Sequence, residues 1–237
     1  MTHLRRRPVD LALARRQHAA YEQVLREAGC EVRQLAEQPD LPDSVFVEDA
    51  AIVLDEVAVV TRPGAESRRG ETESMAAVLA GLRDVIHIEA PGTLDGGDVL
   101  RLDRTLYVGA SARSNAEGIA QLGRLLAPFD YRVAAVPLGG CLHLKSAVTQ
   151  VAQGNVLVNP DWVDASCFPG WEPIAIDSAE PNAANGLLVD GALIYPASCP
   201  RTAEKLRALG IDVRGVDMSE TEKAEGAVTC CSVIVTG

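Results

Sequence analysis

No CxxC pair occurs among the six cysteines of this 237-residue sequence, and no secretory apolar segment follows Met1. Reduced thiols in the cytoplasm are expected, without a disulfide framework. Long apolar runs are missing as well. Ala51-Ile52-Val53-Leu54 stops at Asp55-Glu56, so no membrane span is expected. Positive charge is scarce: 22 Lys+Arg against 33 Asp+Glu leave a net charge of -11. A nucleic-acid partner would demand a basic face and is therefore not expected, whereas a cationic substrate is compatible. The basic run Leu4-Arg5-Arg6-Arg7-Pro8 reads as a solvated arm. No GxSxG elbow is present, and Gly96-Gly97 and Gly139-Gly140 belong to neither GxGxxG nor a GK[ST] loop. Both glycine pairs are read as tight backbone positions. Cys141-x-His143 with the distant Cys230 lacks the paired spacing of structural zinc sites. Neither a resident metal nor a cofactor is expected.

What is present is an ordinary globular composition, 47% hydrophobic and 23% charged, long enough to bury about 70% of its unfolded surface. A single α/β domain over residues 1–237 is expected. From Asp10 to Ala28 the positions Leu13, Ala14, Gln17, Tyr21, Val24 and Leu25 keep a helical period, and Gly29 supplies the stop. A short strand is expected around Val32. Then a strand–turn–strand unit recurs: Val45–Leu54 with Val57–Val60, Asp98–Val108, Ala147–Val158, and Gly186–Tyr195. Helices are expected near Glu71–Leu82, Ala116–Leu126 and Thr202–Leu209, and the stretch at Cys230 is read as opening a fifth unit. Such repetition points to a radial or stacked architecture.

The run Glu225-Gly226-Ala227-Val228-Thr229-Cys230-Cys231-Ser232-Val233 holds two adjacent cysteines. On a strand they face opposite sides, so one alone points into a pocket, and Cys230 is the candidate. A cysteine in a Val-rich strand is ordinarily a small buried hydrophobe. A nucleophilic thiol needs a base and an organising carboxylate within reach, and His143 and Asp95 are the candidates. Carboxylates lie before or inside apolar strands at Asp43, Glu48, Asp49, Asp95 and Asp98, where they require a cation or a dense donor set. A planar guanidinium is such a cation. The loops Gly64-Ala65-Glu66-Ser67-Arg68 and Gly109-Ala110-Ser111-Ala112-Arg113 each set an arginine four residues after a glycine, suited to an anion. An amino acid with a guanidino tail fits both requirements.

Phe46-Val47-Glu48-Asp49, Thr93-Leu94-Asp95-Gly96-Gly97-Asp98-Val99, Leu142-His143-Leu144-Lys145-Ser146, Ala183-Ala184-Asn185 and Val228-Thr229-Cys230-Cys231-Ser232-Val233 occur in that order. In this combination the chain resembles the dimethylarginine dimethylaminohydrolases, guanidino-group-modifying enzymes with the pentein fold, a five-bladed α/β propeller of strand-strand-helix-strand units. The resemblance runs from about Asp10 to Val235. It implies hydrolysis of Nω-methylated arginine to citrulline and a methylamine. Cys230 would be the nucleophile, His143 the general acid and base, and Asp95 the carboxylate that orients His143 or holds the guanidinium. Glu48 and Asp49 would meet the guanidinium, Asp43 the α-amino group, and Arg68 and Arg113 the carboxylate, with a backbone carbonyl near Ala224 assisting.

Two departures accompany the likeness: Val228 replaces a common leucine, and the sequence begins almost at the first helix, without the strand that usually precedes it. Edge pairing in a homodimer is one expected consequence. Stray zinc bridging Cys230 and His143 is an expected inhibitor. Arginine deiminase or amidinotransferase chemistry would use the same residues, and a non-catalytic pentein-fold binding protein would need none of them.

Overall fold

The computed structural model describes residues 7–236. Helix α1 (Leu11–Glu27) opens the described chain. Next come β1 (Ala51–Val53), β2 (Val57–Val60), α2 (Glu71–Leu79) and β3 (Asp84–His87), then β4 (Val99–Leu102), β5 (Thr105–Ala110), α3 (Ala116–Leu126) and β6 (Arg132–Pro137). The short α4 (Leu144–Ala147) leads to β7 (Val148–Ala152), β8 (Asn155–Val158) and β9 (Glu172–Ala175). β10 (Leu187–Val189), β11 (Ala192–Pro196), α5 (Pro200–Ala208), β12 (Asp212–Val216) and α6 (Ser219–Glu222) complete the order. Among the described residues the strands form four three-stranded sheets. In each, a hairpin is joined by a third strand parallel to the hairpin's second strand, as in Ala51↔Val60 followed by Val57↔Asp84. A parallel partner requires a crossover, and α2, α3 and α5 supply it in three sheets.

The chain divides into two compact units, Leu35–Lys145 with the stretch from Cys230, and the chain up to Gln34 with Ser146–Thr229. In the first unit β2 is buried at all four positions, which is why Val57-Ala58-Val59-Val60 reads as a continuous apolar run rather than an alternating one. It packs with Leu94, Leu106, Val108, Leu122 and Leu126. In the second unit Val151, Leu157, Leu193, Tyr195 and Leu206 form the core. Helix α1 turns Tyr21 and Leu25 inward and is capped by the Asp10 carboxylate, which accepts from Leu13 N at 3.0 Å. Gly29 and Gly210 take φ of 92° and 84°, the left-handed conformation that ends a helix.

Several sequence expectations are corrected. No strand forms around Val32. The expected strand Val45–Leu54 shrinks to β1, because Val47–Ala50 coils into a 3-10 turn. On a strand Glu48 and Asp49 would face opposite sides, whereas the turn buries both. Cys230 does not open a strand: Val228–Cys231 is a turn, and 232–236 joins no ladder among the described residues. A strand exists only through a repeating backbone ladder with a partner, and no such ladder forms there among the described residues. Gly139 has open space around it and Gly140 has φ 76°, so this pair serves a turn rather than a tight approach. The Leu4–Pro8 arm lies largely outside the described residues.

Candidate active site

Short turns at the entrances to strand pairs carry the chemistry of the first unit. The 3-10 turn Val47–Ala50 precedes β1 and holds Glu48 and Asp49; Asp95 begins the turn Gly96–Asp98 ahead of β4. His143 stands immediately before α4. The turns meet because Gly96 and Gly97 have no side chains. A Cβ on Gly96 would lie 2.0 Å from the Glu48 carbonyl oxygen, and one on Gly97 2.7 Å from both Asp49 Oδ1 and His143 Nδ1. This bears out the tight reading of that glycine pair.

His143 is 7% exposed. Its Nε2 lies 3.1 Å from Asp95 Oδ2 and its Nδ1 3.9 Å from Asp49 Oδ1. Burial pulls the imidazole down, but Asp49, Asp95 and Asp98 outweigh it and push it up to about 9. Burial likewise pushes Asp49 up, yet His143, Arg68 and the Gly97 N–H outweigh it and hold the carboxyl below its ordinary value. Asp95 is fully buried, and its Oδ1 accepts from Gly64 N at 2.8 Å. A ring raised to about 9 keeps its proton through neutral pH, with Asp49 on one side and Asp95 on the other.

Cys230 is partly exposed, and its carbonyl accepts from Glu48 N at 3.1 Å, which ties it to the Glu48–Asp49 turn. Cys231 is buried beside Glu48, and burial, with that carboxylate, pushes its thiol up to about 12. Glu48 pairs with Lys145 Nζ at 2.6 Å.

The two loop arginines have different surroundings. Arg68 is 6% exposed and commits its guanidinium to Asp49, to Glu71 (Nη2–Oε2 2.7 Å) and to the carbonyls of Phe46 (3.0 Å) and Asp43 (3.3 Å). Arg113 is the other case: its Nη1 is buried without a hydrogen-bond partner, 3.9 Å from Asp95 Oδ2. A buried cationic donor lacking an acceptor is a place for a ligand anion. The Asp43 side chain lies on an exposed turn. Ala224 is exposed and belongs to the other compact unit.

Asp49, Asp95 and His143 offer three ligand atoms within 4.8 Å of one another. His143 Nε2 and Asp95 Oδ2 already bond each other, and Asp49 Oδ1 accepts from Gly97 N at 2.9 Å. An imidazole protonated at neutral pH must lose its proton before it can ligate. The set fits a charge cluster better than a resident metal.

Sequence reasoning assigned no part to Glu71 or Lys145, which serve as counterions here. Glu71 was legible as the residue three after Arg68 in the first turn of α2, where side chains meet. The Lys145–Glu48 pair spans 97 positions, and nothing local announces it.

A family model described as "N,N dimethylarginine dimethylhydrolase, eukaryotic" matches residues 5–166. The N(G),N(G)-dimethylarginine dimethylaminohydrolase of Streptomyces coelicolor is 45% identical over 98% of this chain and 90% of its own. This chain belongs to the dimethylarginine dimethylaminohydrolase family. The family enzyme from Pseudomonas aeruginosa, solved as a cysteine-to-serine mutant complexed with citrulline, matches with a TM-score of 0.91 and 38% identity. That match covers 94% of this chain and 88% of the neighbour. A second dimethylarginine dimethylaminohydrolase structure, a histidine-to-glycine mutant as an adduct with S-methyl-L-thiocitrulline, matches equally, at 0.91 and 38%, over 94% and 89% of the two chains. The likeness bears out the α/β pentein fold class expected of the sequence, with four sheets formed among the described residues.

Proposed function

We propose that this chain hydrolyses Nω-methylated L-arginine to L-citrulline and a methylamine through a covalent intermediate on Cys230. The observation that carries the reading is His143, buried between Asp49 and Asp95, with the turn that bears Asp49 bonded to the Cys230 carbonyl. Similarity to family members solved with citrulline and a thiocitrulline adduct supports the ligand class.

The Cys230 thiolate forms a bond to the guanidinium carbon. His143 gives its proton to the departing methylamine as the carbon–nitrogen bond breaks, leaving a thiouronium-type intermediate. The neutral imidazole then takes a proton from water; the hydroxide adds to carbon, the sulfur–carbon bond breaks to restore the thiolate, and the new hydroxyl gives its proton to solvent as citrulline leaves. Glu48 and Asp49 meet the guanidinium, whose positive charge favours the thiolate as it binds. Asp95 orients the imidazole, Arg113 takes the substrate carboxylate and Asp43 the α-amino group, while Arg68, committed to Asp49 and Glu71, holds the guanidinium-side carboxylate in place. No cofactor takes part.

Among the described residues no helix is long and apolar enough to cross a membrane. The six free thiols support a reducing compartment, the cytoplasm. Edge pairing in a homodimer belongs to the same proposal; a strictly monomeric active species in sedimentation removes it.

The test is citrulline release from asymmetric dimethylarginine, monomethylarginine and arginine in parallel, with wild type beside Cys230→Ser. Turnover of the methylated substrates that vanishes in the variant is expected. Turnover of arginine alone makes the enzyme a deiminase, and no citrulline from any of the three rejects the reading.

A further inference from the structure

Asp98 lies in the first unit, fully buried, and its side chain bonds Leu144, Ser111 and Ser114. Its two oxygens accept three hydrogen bonds: Oδ1 from Leu144 N at 3.1 Å, and Oδ2 from the hydroxyls of Ser111 at 2.5 Å and Ser114 at 2.6 Å. Each donor leads to a different part of the site. Leu144 is the peptide neighbour of His143. Ser111 Oγ also accepts from Arg113 N at 2.9 Å, fixing the backbone of the arginine with the unpartnered Nη1. Ser114 Oγ accepts from Asp95 N at 3.2 Å, fixing the backbone of the residue whose carboxylate faces His143 Nε2. Both hydroxyls point their protons at Asp98 and their lone pairs at those backbone amides, so removing the carboxylate frees all three arms together.

We infer that Asp98 is a positioning residue of this site, one carboxylate that sets Arg113 through Ser111, Asp95 through Ser114, and His143 through the Leu144 amide. The inference rests on the proposed reaction for its kinetic consequences but not for its geometry. The arms join only at the Ser114 amide, which also donates to Ser111 Oγ at 3.2 Å; Arg113 N is held by Ser111 Oγ and Asp95 N by Ser114 Oγ, so the larger loss in each serine variant falls on a different step. Ser111 acts on the group that meets the substrate carboxylate, and Ser114 acts on the group that orients the acid–base imidazole.

The experiment compares wild type, Ser111→Ala, Ser114→Ala and Asp98→Asn in steady-state citrulline assays. Parallel NMR titrations follow the His143 ring in a Cys230→Ser background. Ser111→Ala is expected to raise KM about tenfold with kcat within about twofold, the cost of loosening one binding arm. Ser114→Ala is expected to lower kcat about tenfold, with KM little changed and the His143 titration displaced. Asp98→Asn combines both losses, to about a hundredfold in kcat/KM. His143 also faces Asp49 and Asp95, so the imidazole in the Asp98 variant still titrates above a free one. The serine variants remove a single hydroxyl, so they keep the test open should Asp98→Asn not fold.

Equal losses in both serine variants, or none in either, overturn the inference. Should wild type release no citrulline, the reaction assignment fails by itself, and the His143 titration decides: an undisplaced titration in Ser114→Ala then overturns the positioning role, and a displaced one upholds it.

Discussion

His143 Nε2 lies 3.1 Å from Asp95 Oδ2, and neither residue is more than 7% exposed. Water therefore contributes little to the charge of either, and their mutual attraction, with Asp49 on the other side, keeps the ring protonated to about pH 9 against an ordinary 6.5. A raised folded-state value means that stability is fully present below about pH 6.5 and is lost as the pH climbs through about 9. The gap corresponds to about 3 kcal/mol at most. Urea unfolding midpoints between about pH 6 and pH 9.5 are expected to fall in wild type and to flatten in His143→Gln. Parallel slopes in the two proteins would show that the ring is not charged in the folded state.

The two loop arginines, equivalent in the sequence, are expected to fail differently when truncated. Arg68→Ala leaves Asp49 and Glu71 buried without their cation, a loss of about 3–5 kcal/mol in chemical denaturation. Arg113→Ala removes a side chain whose Nη1 makes no hydrogen bond, so stability stays within about 1 kcal/mol while KM rises about 10- to 100-fold. The prediction is lost if both variants unfold at the same denaturant concentration.

Much of this was legible in the sequence because it is written locally. Helix α1 follows from its period, Asp10 and Gly29, and α3 from Asn115 and the apolar spacing of Leu122 and Leu126. The apolar run of β2 announced a buried strand. At the site, carboxylates among apolar residues marked Glu48, Asp49 and Asp95 as groups that need partners. Which partner each obtains is set by tertiary approach. Arg68 and Arg113 share a loop pattern, yet one is enclosed by Glu71 and Asp49 and the other stands beside Asp95. The missing strand at Cys230 failed for a related reason, since propensity describes a strand and only a ladder partner makes one.

The adjacent cysteines are expected to part company in alkylation. Cys231 is buried, with its thiol pushed up to about 12, and Cys230 is partly exposed. Iodoacetamide near neutral pH should label Cys230 before Cys231, and Cys231→Ser should retain turnover within about threefold. Tandem mass spectrometry of the C-terminal peptide locates the adduct. Label on Cys231 at early times would exchange their roles.

Gly97 offers the sharpest contrast between a small change and a large effect. A single methyl group there would sit 2.7 Å from Asp49 Oδ1 and from His143 Nδ1, closer than van der Waals contact allows. One of the two must move, and a displacement of about 1 Å at an acid–base group costs about a hundredfold in rate. Gly97→Ala is therefore expected to lower kcat by that order and to weaken the pH dependence of stability that His143 imposes. Gly139→Ala, where nothing lies within 4 Å of the added Cβ, serves as the control and should match wild type in both measurements. Activity retained in Gly97→Ala would mean that the Asp49 and His143 turns can separate without consequence, and the charge cluster would no longer account for catalysis.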